Sequence, residues 1–373
     1  MKNSNVLTTE ERLSLTLSEL YGRRGYSRYR MSKFEEYGLY LENKSFLRGE
    51  KIIAFNDTDG KLLALKPDVT LSIVKSAGET FGGVKKLYYN ESVYRIDKST
   101  AKFREISQMG LEAIGNLDDY TMFEVVTLAL KSLNEIDKNY VLDLANVGFI
   151  TGFLDTLDTD GEGKERLISC IASKNLDELL RLSEEFNFNC ETKRILKKTI
   201  TVNGDFERAL AVARSIAVNE KMVAAADDLA RLYEALKSAG LSKKVRLDFS
   251  IINDIDYYND IVFRGYVKKV PRAVLAGGRY DKLIKKFDES AEAVGFAVYL
   301  NEVASYYTQT AENDVDVVIL YDKTADTNKL YNAVSALTDK GLAVSVAVSP
   351  PENVRYDRLI RFDGVKLSEV ENA

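Results

Sequence analysis

The stretch "VYRIDKSTAKFREISQMGLEAIG", residues 93–115, decides the fold of this chain. With the residues just before it, it separates into two segments of strand character, "VKKLYYNESVYRID" and "KFREISQMGLEAIG". Further upstream, "KIIAFND" and "KLLALKP" flank "DTDG", which predicts a hairpin because Asp and Gly readily adopt turn conformations. Apolar residues at helical spacing predict helices over residues 12–21 and 118–133. The first part of the chain is therefore expected to form a sheet with helices on it.

Four regions follow from the patterns along the chain. Residues 1–147 form the first part of a core, and residues 148–244 read as a helical insertion because patterns such as "LDELLRLSEEF" dominate and proline is absent. Strand-like sequence returns over residues 245–308, with a short helix predicted for residues 280–287. After a polar link, residues 312–373 read strand, helix, strand, loop and a further strand, which predicts a small α/β unit.

Composition excludes several classes of protein. The chain has 373 residues, 45% of them hydrophobic, and a formal charge of −5, which disfavours nucleic acid as a partner. No apolar run is long enough to span a membrane and no leader is recognisable, so a cytoplasmic protein is expected. Cys170 and Cys190 lack metal-binding spacing and are expected to be reduced.

The chain contains no histidine. The commonest general base and the commonest metal ligand are therefore missing, and neither Ser-His-Asp nor Cys-His catalysis can operate. No phosphate-binding loop is found, because the glycines at 78 and 83 are followed by Val84 instead of lysine. We expect neither a cofactor nor a metal ion.

Five segments occur in the order and spacing of class II histidyl-tRNA synthetase catalytic domains. They are "LALKPDVT", "VYRIDKSTAKFREISQMGLEAIG", "IDYYNDIVFRGYV", "LAGGRYDKL" and "AVGFAVYLNEV". The resemblance covers about residues 8–308 and implies an α+β fold. That fold is a class II aminoacyl-tRNA synthetase-like antiparallel sheet with flanking helices, a helical insertion and the small C-terminal unit. The last unit resembles a reduced anticodon-binding domain.

The resemblance also implies a site for a histidine-like ligand. Asp68, Thr70 and Gln108 would face the α-ammonium group, while Glu112 and Tyr258 would face the imidazole nitrogens. Arg95 corresponds to the arginine that holds the ATP α-phosphate. The whole implied ligand-binding set is Asp68, Thr70, Arg95, Gln108, Glu112, Tyr257 and Tyr258.

Two cations of the family pattern are replaced. Asn253 stands where an arginine is expected before "IDYY", and Glu302 stands at the arginine of the family pattern GLER. Loss of one preorganised donor to a developing oxyanion costs roughly 3–4 kcal/mol. Glu302 would add repulsion of order 4 kcal/mol if it lay about 4 Å from a phosphate charge. Tyr299, at a family glycine, is expected to fill nucleotide space. Asn253 and Glu302 are thus lost catalytic positions, and synthetase activity is not expected.

This pattern resembles the synthetase paralogues that serve as regulatory subunits of ATP phosphoribosyltransferase, the first enzyme of histidine biosynthesis. The resemblance implies a short-form catalytic subunit as partner, histidine as effector, and a homodimer within a hetero-oligomer. A chain without histidine could also be translated when histidine is scarce. Two alternatives stay open: an enzyme that adenylates an amino acid for a non-tRNA acceptor, with Arg104 or Arg279 replacing the lost cations, and an RNA-sensing module.

Overall fold

The computed structural model describes residues 7–43, 47, 52–77, 83–96, 100–252, 257–307 and 313–370. The chain forms two compact units. The larger is Leu13–Tyr306, and the smaller combines Met1–Arg12 with Tyr307–Ala373.

The described helices that precede residue 308 pack on the sheets or on one another. In chain order they are α1 (Thr9–Gly22), α2 (Tyr37–Glu42), α3 (Val69–Ala77), α4 (Asp119–Ile136), α5 (Val147–Leu154), α6 (Gly161–Ser173), α7 (Leu176–Glu185), α8 (Cys190–Thr201), α9 (Phe206–Ile216), α10 (Glu220–Ser238), α11 (Asp281–Ile284) and α12 (Leu300–Tyr307).

Strands of the larger unit form a large sheet and a small one. In chain order they are β1 (Ser27–Arg28), β2 (Phe34–Glu36), β3 (Ala54–Asn56), β4 (Leu62–Leu65), β5 (Val84–Ile96), β6 (Phe103–Gly115), β7 (Tyr140–Asn146), β8 (Asn203–Asp205), β9 (Val245–Asp248), β10 (Ile261–Val267), β11 (Leu275–Arg279) and β12 (Glu292–Tyr299).

The large sheet has the order β1-β5-β6-β12-β11-β10-β7-β9-β8 among the described residues. Its pairs are antiparallel except β1 with β5 and β7 with β9, which are parallel. The small sheet has the order β2-β4-β3. This architecture agrees with the predicted mostly antiparallel core.

The two long strands β5 and β6 pair along their whole length, from Val84 opposite Gly115 to Ile96 opposite Phe103. Alternate residues of a strand point to the same face, and directly paired residues share that face. Gln108, Gly110 and Glu112 therefore mark one face, called the site face from here on. Helix α4 covers the other face, where a Cβ added to Gly265 would lie 2.7 Å from Leu133.

Local turn and cap chemistry agrees with the predictions from sequence. The "DTDG" turn joins β3 to β4 as an antiparallel hairpin, and Gly60 there has a φ of +80°. Helix α4 begins where the Asp118 carboxylate accepts a hydrogen bond from the Thr121 backbone N–H at 2.8 Å.

Two predictions need correction in detail. The helix predicted for residues 280–287 is shorter, because α11 ends at Ile284 and turns follow. Residues 148–244 are mainly helical, but Asn203–Asp205 forms β8 and pairs with β9. The predicted domain boundaries stay predictions.

The smaller unit has its own sheet and helix. Its elements are β13 (Val315–Tyr321), α13 (Thr327–Thr338), β14 (Val344–Ala347), β15 (Tyr356–Phe362) and β16 (Leu367–Glu369). The sheet order is β14-β13-β15-β16, with β13 parallel to both neighbours. A small core of Val317, Ile319, Ile360 and Phe362 packs against residues of α13. The strand β16 was not predicted from sequence.

None of the described helices is long and apolar enough to cross a membrane.

Candidate functional site

A buried carboxyl group lies at the centre of the site face. Glu112 on β6 is only 2% exposed and accepts a hydrogen bond from the Thr70 hydroxyl at 3.0 Å. Its second oxygen, Oε2, accepts a hydrogen bond from the Tyr280 hydroxyl. The residue opposite on β12 is Gly295, where an added Cβ would lie 1.7 Å from Oε2. The glycine is therefore required for this carboxyl to lie against the sheet.

Burial controls the protonation of this carboxyl. Removal from water raises the pKa of Glu112 from 4.5 to about 8, although the two hydroxyl donors act in the opposite direction. Burial disfavours a lone negative charge, whereas a cationic ligand beside it would favour ionisation. Glu112 therefore suits a ligand with a ring nitrogen that donates a hydrogen bond.

Three tyrosines form an aromatic cluster beside Glu112. The rings of Tyr257 and Tyr258 meet edge to face with centroids 4.8 Å apart, and Tyr280 lies 5.7 Å from Tyr257. Gly278 makes room for this cluster, because an added Cβ would lie 2.8 Å from the Tyr258 ring. Burial raises the pKa of the Tyr280 hydroxyl well above its ordinary value. It therefore stays protonated and donates to Glu112.

Tyr280 was missed in the sequence-based site. It lies within the matched segment "LAGGRYDKL", directly after the strand that carries Gly278. That position was the signal from which it could have been found.

Asp68 lies where the hairpin segment leads into α3, and Arg95 on β5 lies beside it. Asp68 accepts a hydrogen bond from the Leu71 backbone N–H at 2.8 Å. Arg95 donates to the Pro67 carbonyl at 2.9 Å and has a nitrogen 3.9 Å from the Asp68 carboxylate. Burial raises the pKa of Asp68, and the positive charge of Arg95 opposes that rise. The site thus holds a second carboxyl beside an arginine.

Gln108 adds an amide to the same face. It is 6% exposed and lies on β6 directly between Glu91 on β5 and Tyr299 on β12. Within the described part of the chain, its side-chain amide makes no hydrogen bond. Its amide can donate and accept hydrogen bonds at the same position of the site face. Gln108 is therefore well suited to bind a polar ligand.

A network of charged residues lies next to the two segments that carry the tyrosines, residues 257–260 and 279–281. Arg279 contacts the Asp281 carboxylate at 2.8 Å, the Asp260 carboxylate at 3.8 Å, and the Glu292 carboxylate. Asn259 donates to the Asp281 carboxylate at 3.0 Å and accepts from the Asp281 backbone N–H at 2.7 Å. These contacts join the segment after Tyr258 to the end of β11.

Of the two lost catalytic positions, Asn253 and Glu302, the structure describes only Glu302. Asn253 lies outside the described residues. Glu302 lies in the first turn of α12, and its carboxylate pairs with Arg104 at 2.7 Å and with Arg272 at 3.2 Å. The repulsion expected from a lone Glu302 charge therefore does not apply, because two guanidinium groups neutralise it.

The two arginines that could have replaced the lost cations are both engaged. Arg279 belongs to the three-carboxylate network, and Arg104 is paired with Glu302. Tyr299 lies on the site face beside Gln108, at the predicted nucleotide side. Among the described residues, no group of three or more Cys, Asp or Glu side chains could hold a metal ion.

The sheet and the site on the face opposite α4 define a class II aminoacyl-tRNA synthetase-like protein. The family model described as histidyl-tRNA synthetase matches residues 5–303. The chain belongs to this family.

Comparison with known proteins gives similar chains of the regulatory type. The chain is 29% identical over 341 residues to the ATP phosphoribosyltransferase regulatory subunit of Clostridium kluyveri, covering 88% of this chain and 87% of that one. A Bacillus halodurans structure is described as an ATP phosphoribosyltransferase regulatory subunit/histidyl-tRNA synthetase. It matches with a TM-score of 0.76 and 23% identity, and the match covers 95% of this chain and 93% of that chain. A chain of the ATP phosphoribosyl transferase (HisG:HisZ) complex from Thermotoga maritima matches with a TM-score of 0.62 and 18% identity. The match covers 78% of this chain and 97% of that chain.

These structural likenesses confirm the predicted fold, and the name of the Clostridium kluyveri relative agrees with the paralogue that the motifs resemble.

Proposed function

We propose that this chain is the regulatory subunit of an ATP phosphoribosyltransferase complex, the first step of histidine biosynthesis, and has no synthetase activity of its own. It activates a short catalytic subunit and transmits feedback inhibition by histidine. The names of its relatives support the assignment to this complex.

The observation that carries the proposal is an asymmetry on the site face. On one side, Glu112, Thr70 and Tyr280 form a hydrogen-bonded cluster, and Gln108 offers a buried amide. These are acceptors and donors for an ammonium group and an imidazole ring. On the other side, Glu302 pairs with Arg104 and Arg272. The face is thus equipped to recognise an amino acid and poorly equipped to activate it.

Activation of an amino acid requires positive charge around the ATP α-phosphate. Preorganised donors of this kind supply the largest part of such rate enhancements. Arg95 lies on the site face, where it contacts the Pro67 carbonyl and lies 3.9 Å from the Asp68 carboxylate. Arg104 and Arg279 are also held by carboxylates. This distribution of charge disfavours adenylation.

Histidine as effector needs two arrangements of the complex that bind it with different affinity. A ligand shifts such an equilibrium only by that difference, typically 1–3 kcal/mol. The site is formed by β6, α3 and the segment that carries Tyr257 and Tyr258. A change in the position of any of these elements would therefore change the affinity for histidine.

A homodimer is part of the proposal. Phe34 and Phe55, on β2 and β3, meet edge to face with centroids 5.4 Å apart and are 50% and 38% exposed. Contiguous exposed apolar surface marks interaction sites, and we assign this pair to such a surface. A second copy of this chain is its expected occupant, and sedimentation of the Phe34→Ser variant as a monomer would support this.

Calorimetry and pyrophosphate exchange together test the site. We expect histidine to bind the purified chain, alone or with the catalytic subunit, without histidine-dependent exchange of pyrophosphate into ATP. Exchange at a rate typical of synthetases would show that the cations are compensated and that the chain is an enzyme. Absence of histidine binding in both forms would contradict its role as the sensor.

A further inference from the structure

Glu302 joins three elements of the larger unit through two guanidinium groups. Its carboxylate accepts a hydrogen bond from Arg104 on β6 at 2.7 Å. Arg272, in the turn between β10 and β11, contacts it at 3.2 and 3.4 Å. The Glu302 side chain is 13% exposed, whereas the Arg104 and Arg272 side chains are 39% and 54% exposed. One shielded carboxylate is therefore held by two half-exposed cations.

Two arginines lie side by side on the site face near this carboxylate. Arg95 on β5 lies directly opposite Arg104 on β6, and the two share the site face. Like charges directly opposite on paired strands are destabilising unless anions compensate them. The Asp68 carboxylate lies 3.9 Å from Arg95, and the Glu302 carboxylate lies 2.7 Å from Arg104. Glu302 therefore places a negative charge where the guanidinium groups of Arg104 and Arg272 meet.

Arginine binds carboxylates and phosphates with the same forked geometry. We propose that Glu302 occupies, as an internal carboxylate, an anion site formed by Arg104 and Arg272, and so keeps pyrophosphate and triphosphate groups out of the site face.

This inference rests on the proposed function and deepens it. The complex uses ATP, and a regulatory chain that also bound ATP on its site face would make its response to histidine depend on ATP. With Glu302 in the anion site, histidine affinity is independent of ATP.

A second ion pair provides the matched control. Arg166 forms two hydrogen bonds to Glu185, at 2.6 and 2.9 Å, with both side chains partly exposed. This pair lies on α6 and α7, and among the described residues Arg166 is the cation in direct ion-pair contact with Glu185, whereas the nearby Arg181 is paired with Glu178. Loss of the Glu185 carboxylate therefore does not leave two guanidinium groups around one vacated anion position.

The test is calorimetric titration of the full-length chain with sodium pyrophosphate at low ionic strength. We expect no saturable binding to the wild type in the millimolar range and at least a tenfold gain in affinity for Glu302→Gln and Glu302→Ala. Glu185→Gln should show no gain, and adding Arg104→Gln to Glu302→Gln should remove it. Histidine affinity of the wild type should be unchanged by ATP.

Several results would overturn the inference. They are pyrophosphate binding by the wild type as tight as by Glu302→Gln, or no gain in Glu302 variants whose circular dichroism and melting match the wild type. A change in wild-type histidine affinity on addition of ATP would also overturn it. Failure of the proposed function is seen separately, as no effect of the wild-type chain on transferase rate.

Discussion

Replacing Glu112 with glutamine should change how the stability of the chain depends on pH. In the folded chain, burial raises the pKa of Glu112 from 4.5 to about 8. Between these values the folded state holds a proton that the unfolded state releases. The free energy of unfolding therefore falls as pH rises from 4.5 towards 8, and the stability that the protonated carboxyl contributes is fully present only below pH 4.5.

The size of this effect follows from the same pKa values. A tenfold change in proton affinity corresponds to about 1.4 kcal/mol, so the wild type should lose about 3 kcal/mol between about pH 5 and pH 8 through Glu112 alone. Glutamine keeps the oxygen acceptor, adds an amide donor and cannot ionise. The Glu112→Gln variant should therefore lack this part of the pH dependence.

Urea unfolding at four pH values measures the difference, with Glu165→Gln, an exposed glutamate, as control. As pH rises, the free energy of unfolding of the wild type should fall relative to that of Glu112→Gln. The free energy of unfolding of Glu165→Gln should follow that of the wild type. Parallel curves for Glu112→Gln and wild type from about pH 5 to pH 8 would refute the reasoning.

The remaining predictions concern residues that shape or support the site. Gly295→Ala should weaken histidine binding at least tenfold and lower the melting temperature, because its Cβ would lie 1.7 Å from a carboxyl oxygen, whereas Gly161→Ala meets open space and should not. Tyr280→Phe removes a donor to the buried carboxyl; it should cost histidine affinity about 1–3 kcal/mol by calorimetry, and unchanged affinity would contradict the assigned contact. In Arg279→Lys, a single ammonium group replaces the planar guanidinium that contacts three carboxylates. This variant should lower both the melting temperature and the histidine affinity, whereas the surface variant Arg166→Lys should alter neither.

Much of the fold could be predicted because the relevant signals are local. The strands β5 and β6, the hairpin turn at Gly60 and the helix after Asp118 each depend on neighbouring residues. The strand β8 could not be predicted in this way. Asn203–Asp205 has no strand character and is extended because it pairs with β9, about 40 residues later in the sequence.

The same division holds for the site. The family resemblance implied ligand-binding positions for Glu112 and Thr70, and the structure brings their side chains together at 3.0 Å. The partners of Glu302 could not be predicted, because Arg104 is 198 residues away along the chain and Arg272 is 30 away. Long-range pairing changed the interpretation of Glu302 from a repulsive charge to a neutralised one.

The measurement that tests the central claim most directly is the initial rate of a short-form ATP phosphoribosyltransferase catalytic subunit, alone, with this chain, and with this chain plus increasing histidine. The account predicts low turnover for the catalytic subunit alone, a large increase when the chain is added, and suppression of that increase by histidine. A rate unaffected by the chain, or an increase that histidine does not suppress, would contradict the assignment of this protein as the regulatory subunit.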